Sequence, residues 1–171
     1  VRYDHYSDFG NTVNPRMGLI LSPIEDLYLK LLYGTAFRAP TLKELYNINN
    51  PAKIGNPDLD AEKIKTFETQ LLYNISDNVS AGITYFDIML DDLVEAEGLY
   101  INNLGSMSSR GIETEVKVRF SHSKYAYCNF TYQDVKNTTN ADIYSPEGKM
   151  YTQADHFPGS IANVIGNIGL N

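Results

Sequence analysis

Apolar and polar residues alternate along most of this chain, with turn-forming residues between the alternating runs. A period of two is the mark of β-strands whose two faces meet different surroundings. Val1 to Ser7 forms the first run, ahead of a break at Gly10 and Asn11. Pro15, Met17, Leu19 and Leu21 then alternate with Arg16, Gly18 and Ile20, and Pro23 sets the bend that follows. Leu27, Leu29, Leu31, Tyr33, Thr35 and Phe37 share one face of the next strand; Tyr28, Lys30, Leu32, Gly34, Ala36 and Arg38 share the other. Runs at 66–75, 79–85, 112–120, 125–133 and 161–170 continue the pattern. The expectation is an all-β, antiparallel meander of about eight strands.

The connections fall into two classes. Short turns lie near residues 23, 76 and 122, and long polar loops span 40–64, 90–104 and 137–157, with a shorter one near 10. Within the first long loop, Thr41 and Glu44 have the spacing of a helix capping box, which predicts one or two helical turns through Tyr46. Tight turns on one rim and long loops on the other are the arrangement of bacterial outer-membrane barrels. Glu113, Glu115, Lys117 and Arg119 make a charged row opposite Val116, Val118 and Phe120. In a barrel that row lines a wet lumen, together with Lys30 and Glu68 on neighbouring strands, while the apolar side meets lipid. Runs such as 27–37 and 110–121 supply the roughly 9–11 residues a tilted spanning strand needs. A soluble, secreted β-sandwich carbohydrate-binding module is the alternative, because a soluble sheet can also expose one charged face.

Composition narrows the function classes. The chain has 171 residues and a formal net charge of −7, which leaves no clustered cations for nucleic acid. No apolar run reaches the ~18 residues of a spanning helix, which says nothing about spanning strands. The 13 tyrosines suit the aromatic belts of a barrel, with no tryptophan present. One cysteine, Cys128, makes no disulfide within the chain. His5, His122 and His156 are scattered, and no nucleophile elbow is visible, so no catalytic residue and no metal ligand is assigned. Asp58, Asp60 and Glu62, and Asp91, Asp92, Glu95 and Glu97, lack calcium-loop spacing and read as hydrated acidic surface.

Two boxes frame the first long loop: Phe37-Arg38-Ala39-Pro40, leading through Thr41 to Tyr46, and Asn56-Pro57-Asp58-Leu59. In order and spacing they resemble the barrel of TonB-dependent outer-membrane receptors. Arg2-Tyr3-Asp4, Asn14 to Leu19, Thr84-Tyr85-Phe86, Asp91-Asp92-Leu93, Asn103-Leu104-Gly105, Gly111-Ile112-Glu113 and, loosely, His156 to Asn163 extend the resemblance over nearly the whole chain.

The resemblance implies that residues 1–171 are an internal piece of a roughly 22-stranded transmembrane β-barrel, with short periplasmic turns and long extracellular loops. The plug domain, the early strands and the C-terminal strand are expected to lie outside this sequence. It implies energy-dependent uptake of a scarce nutrient chelate through the outer membrane of a Gram-negative bacterium, without a cofactor and without catalysis. The implied partners are outer-membrane lipid and lipopolysaccharide, the chelate, and a TonB-type energy transducer acting through the plug. In the haem-uptake branch, boxes like these flank an iron-ligating histidine. No histidine lies between Pro40 and Asn56, so a ferric siderophore or cobalamin is expected ahead of haem. Arg38, Tyr46, Asn56 and Asp58 are the ligand-facing loop candidates.

Overall fold

The computed structural model describes residues 1–8, 10–48, 50, 53–137, 142–144, 150–152 and 162–171. The chain opens with a hairpin, β1 (Arg2–Tyr6) and β2 (Gly10–Asn14). Next come β3 (Arg16–Ile24), β4 (Leu27–Arg38), a short helix α1 (Leu42–Tyr46), β5 (Glu62–Ser76), β6 (Val79–Glu97), β7 (Tyr100–Arg119) and β8 (Tyr125–Asn137). Two three-residue strands, β9 (Asp142–Tyr144) and β10 (Met150–Thr152), pair with each other before β11 (Val164–Leu170). β11, β8, β7, β6, β5, β4 and β3 form one seven-stranded antiparallel sheet in that order. From β3 to β8 neighbouring strands are consecutive in sequence, and β11 pairs with β8 across the intervening β9 and β10.

The expected meander is present, with its boundaries moved at three places. The expected strand at 14–21 is longer and breaks at Pro15, which has no N–H for the ladder; its carbonyl still accepts the Thr35 N–H at 3.0 Å. The first run therefore pairs with residues 10–14, and β3 begins beyond the proline. The excursion expected at 90–104 is not a loop. β6 and β7 stay paired out to Glu97 and Tyr100, with register shifts between Leu90 and Leu93 and between Leu93 and Val94. Alternation fades there because the register shifts break the period of two and only Val94 and Ile101 of the extension join an apolar cluster. The last strand begins at Val164 and not at Ile161, which lies outside the described residues, as do His156 and most of the expected 137–157 loop.

Directly paired residues share a face, so the register sorts the side chains. One row runs Leu31, Thr69, Tyr85, Ile112, Tyr132, Val164 across the sheet. The next runs Leu29, Leu71, Ile83, Thr114, Phe130, and the one below it Leu27, Tyr73, Ala81, Val116, Cys128, Ile168. No second layer covers this apolar face among the described residues: Val116 is 44% exposed and Phe120 66%. A sandwich would bury such a face against another sheet. From Phe120 to Ile112 it runs roughly 26 Å along the strand at ~3.3 Å per residue, on the order of the apolar band of an outer-membrane barrel. The buried apolar residues lie elsewhere; Leu45, Leu59 and Ile101 form a small cluster above the sheet at the long-loop rim.

Candidate functional site

The opposite face carries the charges that the alternation predicts. In register, Lys30 sits beside Gln70, Thr84, Glu113 and Thr131; Glu68 lies between Leu32 and Phe86; and Glu115 lies between Gly82 and Asn129. Lys117 follows between Ser80 and Tyr127, with Arg119 opposite Tyr125. The structure thus puts all six residues, Lys30, Glu68, Glu113, Glu115, Lys117 and Arg119, on one face. Near the short-turn rim, the Lys117 ammonium stands 4.3 Å from the centroid of the Tyr125 ring. Asp26 and Asp77 join Lys117 and Arg119 around a polar hollow there.

At the other rim, the loop after β4 folds into a defined unit. Thr41 caps α1 as the sequence predicts. The Glu44 N–H donates to the Thr41 hydroxyl at 3.2 Å, and the Glu44 carboxylate accepts the Thr41 N–H at 2.7 Å. Leu45, only 1% exposed, packs on Leu59 and Ile101, with Val94 beside them.

Arg38 ties this unit to the sheet. Its Nε and Nη2 donate to the Glu62 carboxylate at 2.5 and 2.6 Å, and its Nη1 reaches Glu44 at 3.2 Å. The Val94 N–H donates to the other side of the arrangement, on Glu62 Oε1 at 2.9 Å. One guanidinium thereby links β4, β5 and α1, with β6 bound through the shared carboxylate. Arg38 is held above its ordinary range chiefly by the Glu62 bond. Glu62 is held below the usual carboxylate range by Arg38 first, against burial, with help from the Val94 N–H. Burial alone pushes Glu44 up, but the bonds from Thr41 and Arg38 outweigh it and the net shift is downward.

Depressed carboxyl groups stabilise the folded form above their unfolded pKa, about 4.3 for glutamate, and that contribution is lost as pH falls through the folded values. The loop unit is therefore expected to stay protease-resistant from neutral pH down to that range and to open below it. Limited proteolysis across a pH series reads this directly. An unchanged cleavage rate at 40–61 through the acid range would count against the Arg38 tie.

The extended β6–β7 hairpin holds the loop from above. Asn103 Nδ2 donates to the Asp60 and Asp92 carbonyls at 3.0 and 2.6 Å, while its Oδ1 accepts the Asp60 N–H at 2.8 Å. Asn56 Nδ2 donates to Asn102 Oδ1 at 3.0 Å, and the Ile54 N–H donates to the Leu99 carbonyl at 2.6 Å. Arg38 and Asn56, expected to face a ligand, are thus committed to the loop's own framework. Tyr46, 48% exposed, and the exposed Asp58 side chain remain turned to solvent. The acidic pair expected in a free loop is also engaged, Asp91 with Lys65 and Asp92 with Lys63, each at 2.8 Å. Among the described residues no three His, Cys, Asp or Glu side chains gather as a metal site would require. The asparagine clasp was not foreseen. Its signal lay in the density of Asn in both partner segments, Asn47 to Asn56 and Asn102 to Asn103.

On the apolar side the same rim changes character. Tyr33 and Phe67 share a row with Asp87, Arg110 and Asp134; the next row outward holds Lys65 and Lys136, and Lys63 lies in the row beyond. Aromatic rings level with charged side chains, and lysines beyond them, suit a membrane interface.

The family model described as TonB dependent receptor-like, beta-barrel, matches residues 1–170. The vitamin B12 transporter BtuB of Vibrio cholerae is 25% identical over 116 residues, covering 66% of this chain and 18% of BtuB. An uncharacterized TonB-dependent receptor of Haemophilus influenzae is 30% identical over 134 residues, covering 70% of this chain and 39% of that protein. The crystal structure of the siderophore receptor PirA from Pseudomonas aeruginosa superposes with a TM-score of 0.66 at 25% identity, covering 78% of this chain and 27% of PirA. The chain spans well under half the length of each of these relatives.

Proposed function

We propose, proceeding from the fact that this chain belongs to the TonB-dependent receptor-like β-barrel family, that it is part of the wall of a receptor importing a scarce nutrient chelate. The family's place is the Gram-negative outer membrane, and the chain shares it. The observation that carries the reading is the uncovered apolar face of the seven-stranded sheet backed by a charged one. In lipid, such a sheet is stable only as an arc of a closed barrel, because open strand edges cannot stand in hydrocarbon.

In this reading Lys30, Glu68, Glu113, Glu115, Lys117 and Arg119 line the lumen, and the short turns face the periplasm. The clasped loop between β4 and β5 and the β6–β7 tip stand at the outer mouth. Barrels of this size, about 22 strands, carry a plug, and the plug would couple the receptor to a periplasmic energy transducer. The rim cations Lys63, Lys65, Arg110 and Lys136 meet the polar part of the outer leaflet, including lipopolysaccharide. Uptake is binding and gated passage, with no bond made or broken. BtuB is a vitamin B12 transporter and PirA a siderophore receptor; both chelate classes are candidate cargo.

Deletion of the complete gene tests this. Cells lacking it are expected to lose uptake of labelled cobalamin or of a labelled ferric siderophore, and loss of the energy transducer should reproduce the defect. Uptake of every such probe at wild-type rate in the deletion strain would sink the proposal.

A further inference from the structure

The rim where the loop meets the β6–β7 tip forms a groove that the loop's architecture does not use. Ile54 to Pro57 line one side and Tyr100 to Asn102 the other. Its floor is a parallel bridge between Ile54 and Tyr100, fixed by the bond from the Ile54 N–H to the Leu99 carbonyl. Asn56 Nδ2 donates to Asn102 Oδ1 and so ties the two sides of the groove together. Tyr100 is 61% exposed, at a hairpin tip where the ring has been set by a turn through Gly98 at φ 61°.

No residue lining the groove is charged. Lys53 and Asp58, one at each end of the Ile54–Pro57 segment, are of opposite sign. The guanidinium of the unit, Arg38, is already shared between Glu44 and Glu62. Holding an anionic chelate out of water takes several converging free cations, because a buried unpaired charge costs several kcal/mol. The groove offers an aromatic ring, the apolar side chains of Ile54, Pro57 and Ile101, and uncharged amides instead.

We propose that this groove is a ligand subsite that takes an uncharged, ring-bearing or apolar part of the imported chelate, with Tyr100 as its stacking residue. The inference rests on the receptor reading above and adds the charge class of the cargo. Exposed aromatics at a rigid rim lose little entropy on binding, which is why such residues often dominate recognition.

The test uses the complete receptor in isolated outer membranes and three labelled probes: cyanocobalamin, an uncharged ferric trihydroxamate and a trianionic ferric tricatecholate. An uncharged probe is expected to bind and the tricatecholate to be left in solution. Tyr100→Ala is expected to weaken the bound probe roughly tenfold, the scale of a truncated hot-spot ring, while Tyr100→Phe stays within about twofold. Heat-modifiable migration identical to wild type certifies that both variants are folded. Capture of the tricatecholate, or an uncharged probe bound equally well by Tyr100→Ala, overturns the subsite and leaves the receptor reading standing. Capture of none of the three overturns the receptor reading and the subsite with it.

Discussion

Leu45→Ala is expected to release the loop over the outer mouth without opening the sheet beneath it. Leu45 is the fully buried side chain of a cluster whose other buried members are Leu59 and Ile101. Truncating a buried leucine costs about 2–5 kcal/mol through lost transfer energy and the cavity left behind. In a large core that is a fraction of the total; here it is comparable to the whole local stability, because so few apolar contacts hold the unit. The polar ties from Arg38 and the asparagines then lack the packing that keeps water from competing with them. Protease added to intact cells should cut the variant within 40–61 while the barrel still migrates as a folded, heat-modifiable band. A loop as resistant as wild type would show that the hydrogen bonds alone maintain it.

Gly111→Val should do the opposite and prevent the wall from assembling. A Cβ at Gly111 would lie 2.2 Å from the Tyr132 carbonyl oxygen and 2.6 Å from the Phe86 ring. The first of these neighbours is backbone in the adjacent strand, which a side-chain rotation cannot clear. Phe86, buried on the charged face, uses the gap that glycine leaves. Overpacking of a tight site costs typically about 1–3 kcal/mol. The clash at Gly111 falls on the β7–β8 ladder itself, so the cost belongs at the upper end or beyond. The expected readout is loss of the heat-modifiable band and of receptor from the outer membrane. Normal assembly of Gly111→Val would show that the two strands can separate locally at no cost.

The strands inside the membrane band were legible in the sequence because each of their faces meets one medium along its length. Val116 and Glu115 could be assigned opposite sides from periodicity alone, and the register agrees. The α1 cap was legible for a different reason, since Thr41 and Glu44 satisfy each other within four residues. The clasp was not, because Asn103 finds Asp60 across 43 positions of chain and nothing local marks the pairing. For the same reason Asn56 read as a ligand contact, while Arg38 read both as a carboxylate partner, which it is, and as a ligand-facing candidate. A polar residue beside a box suggests a free functional group until the partner that occupies it is seen. The β6–β7 extension stayed hidden because its register shifts interrupt the alternation and its ladder is held mainly by backbone bonds, which a polar sequence serves as well.

The unequal strand lengths have one more consequence. β6 and β7, with 19 and 20 residues, outrun β3 with 9 and β11 with 7. From Arg110 to Tyr100 the hairpin climbs on the order of 30 Å at ~3.3 Å per residue. Above Met107 that tower, with Gly98 at its summit, joins no further strand of the sheet: within it, Val94 to Glu97 and Tyr100 to Asn103 pair only with each other. Backbone groups there that the loop does not take meet water, so amide exchange at the tip is expected to outpace that of the seven-stranded sheet below it.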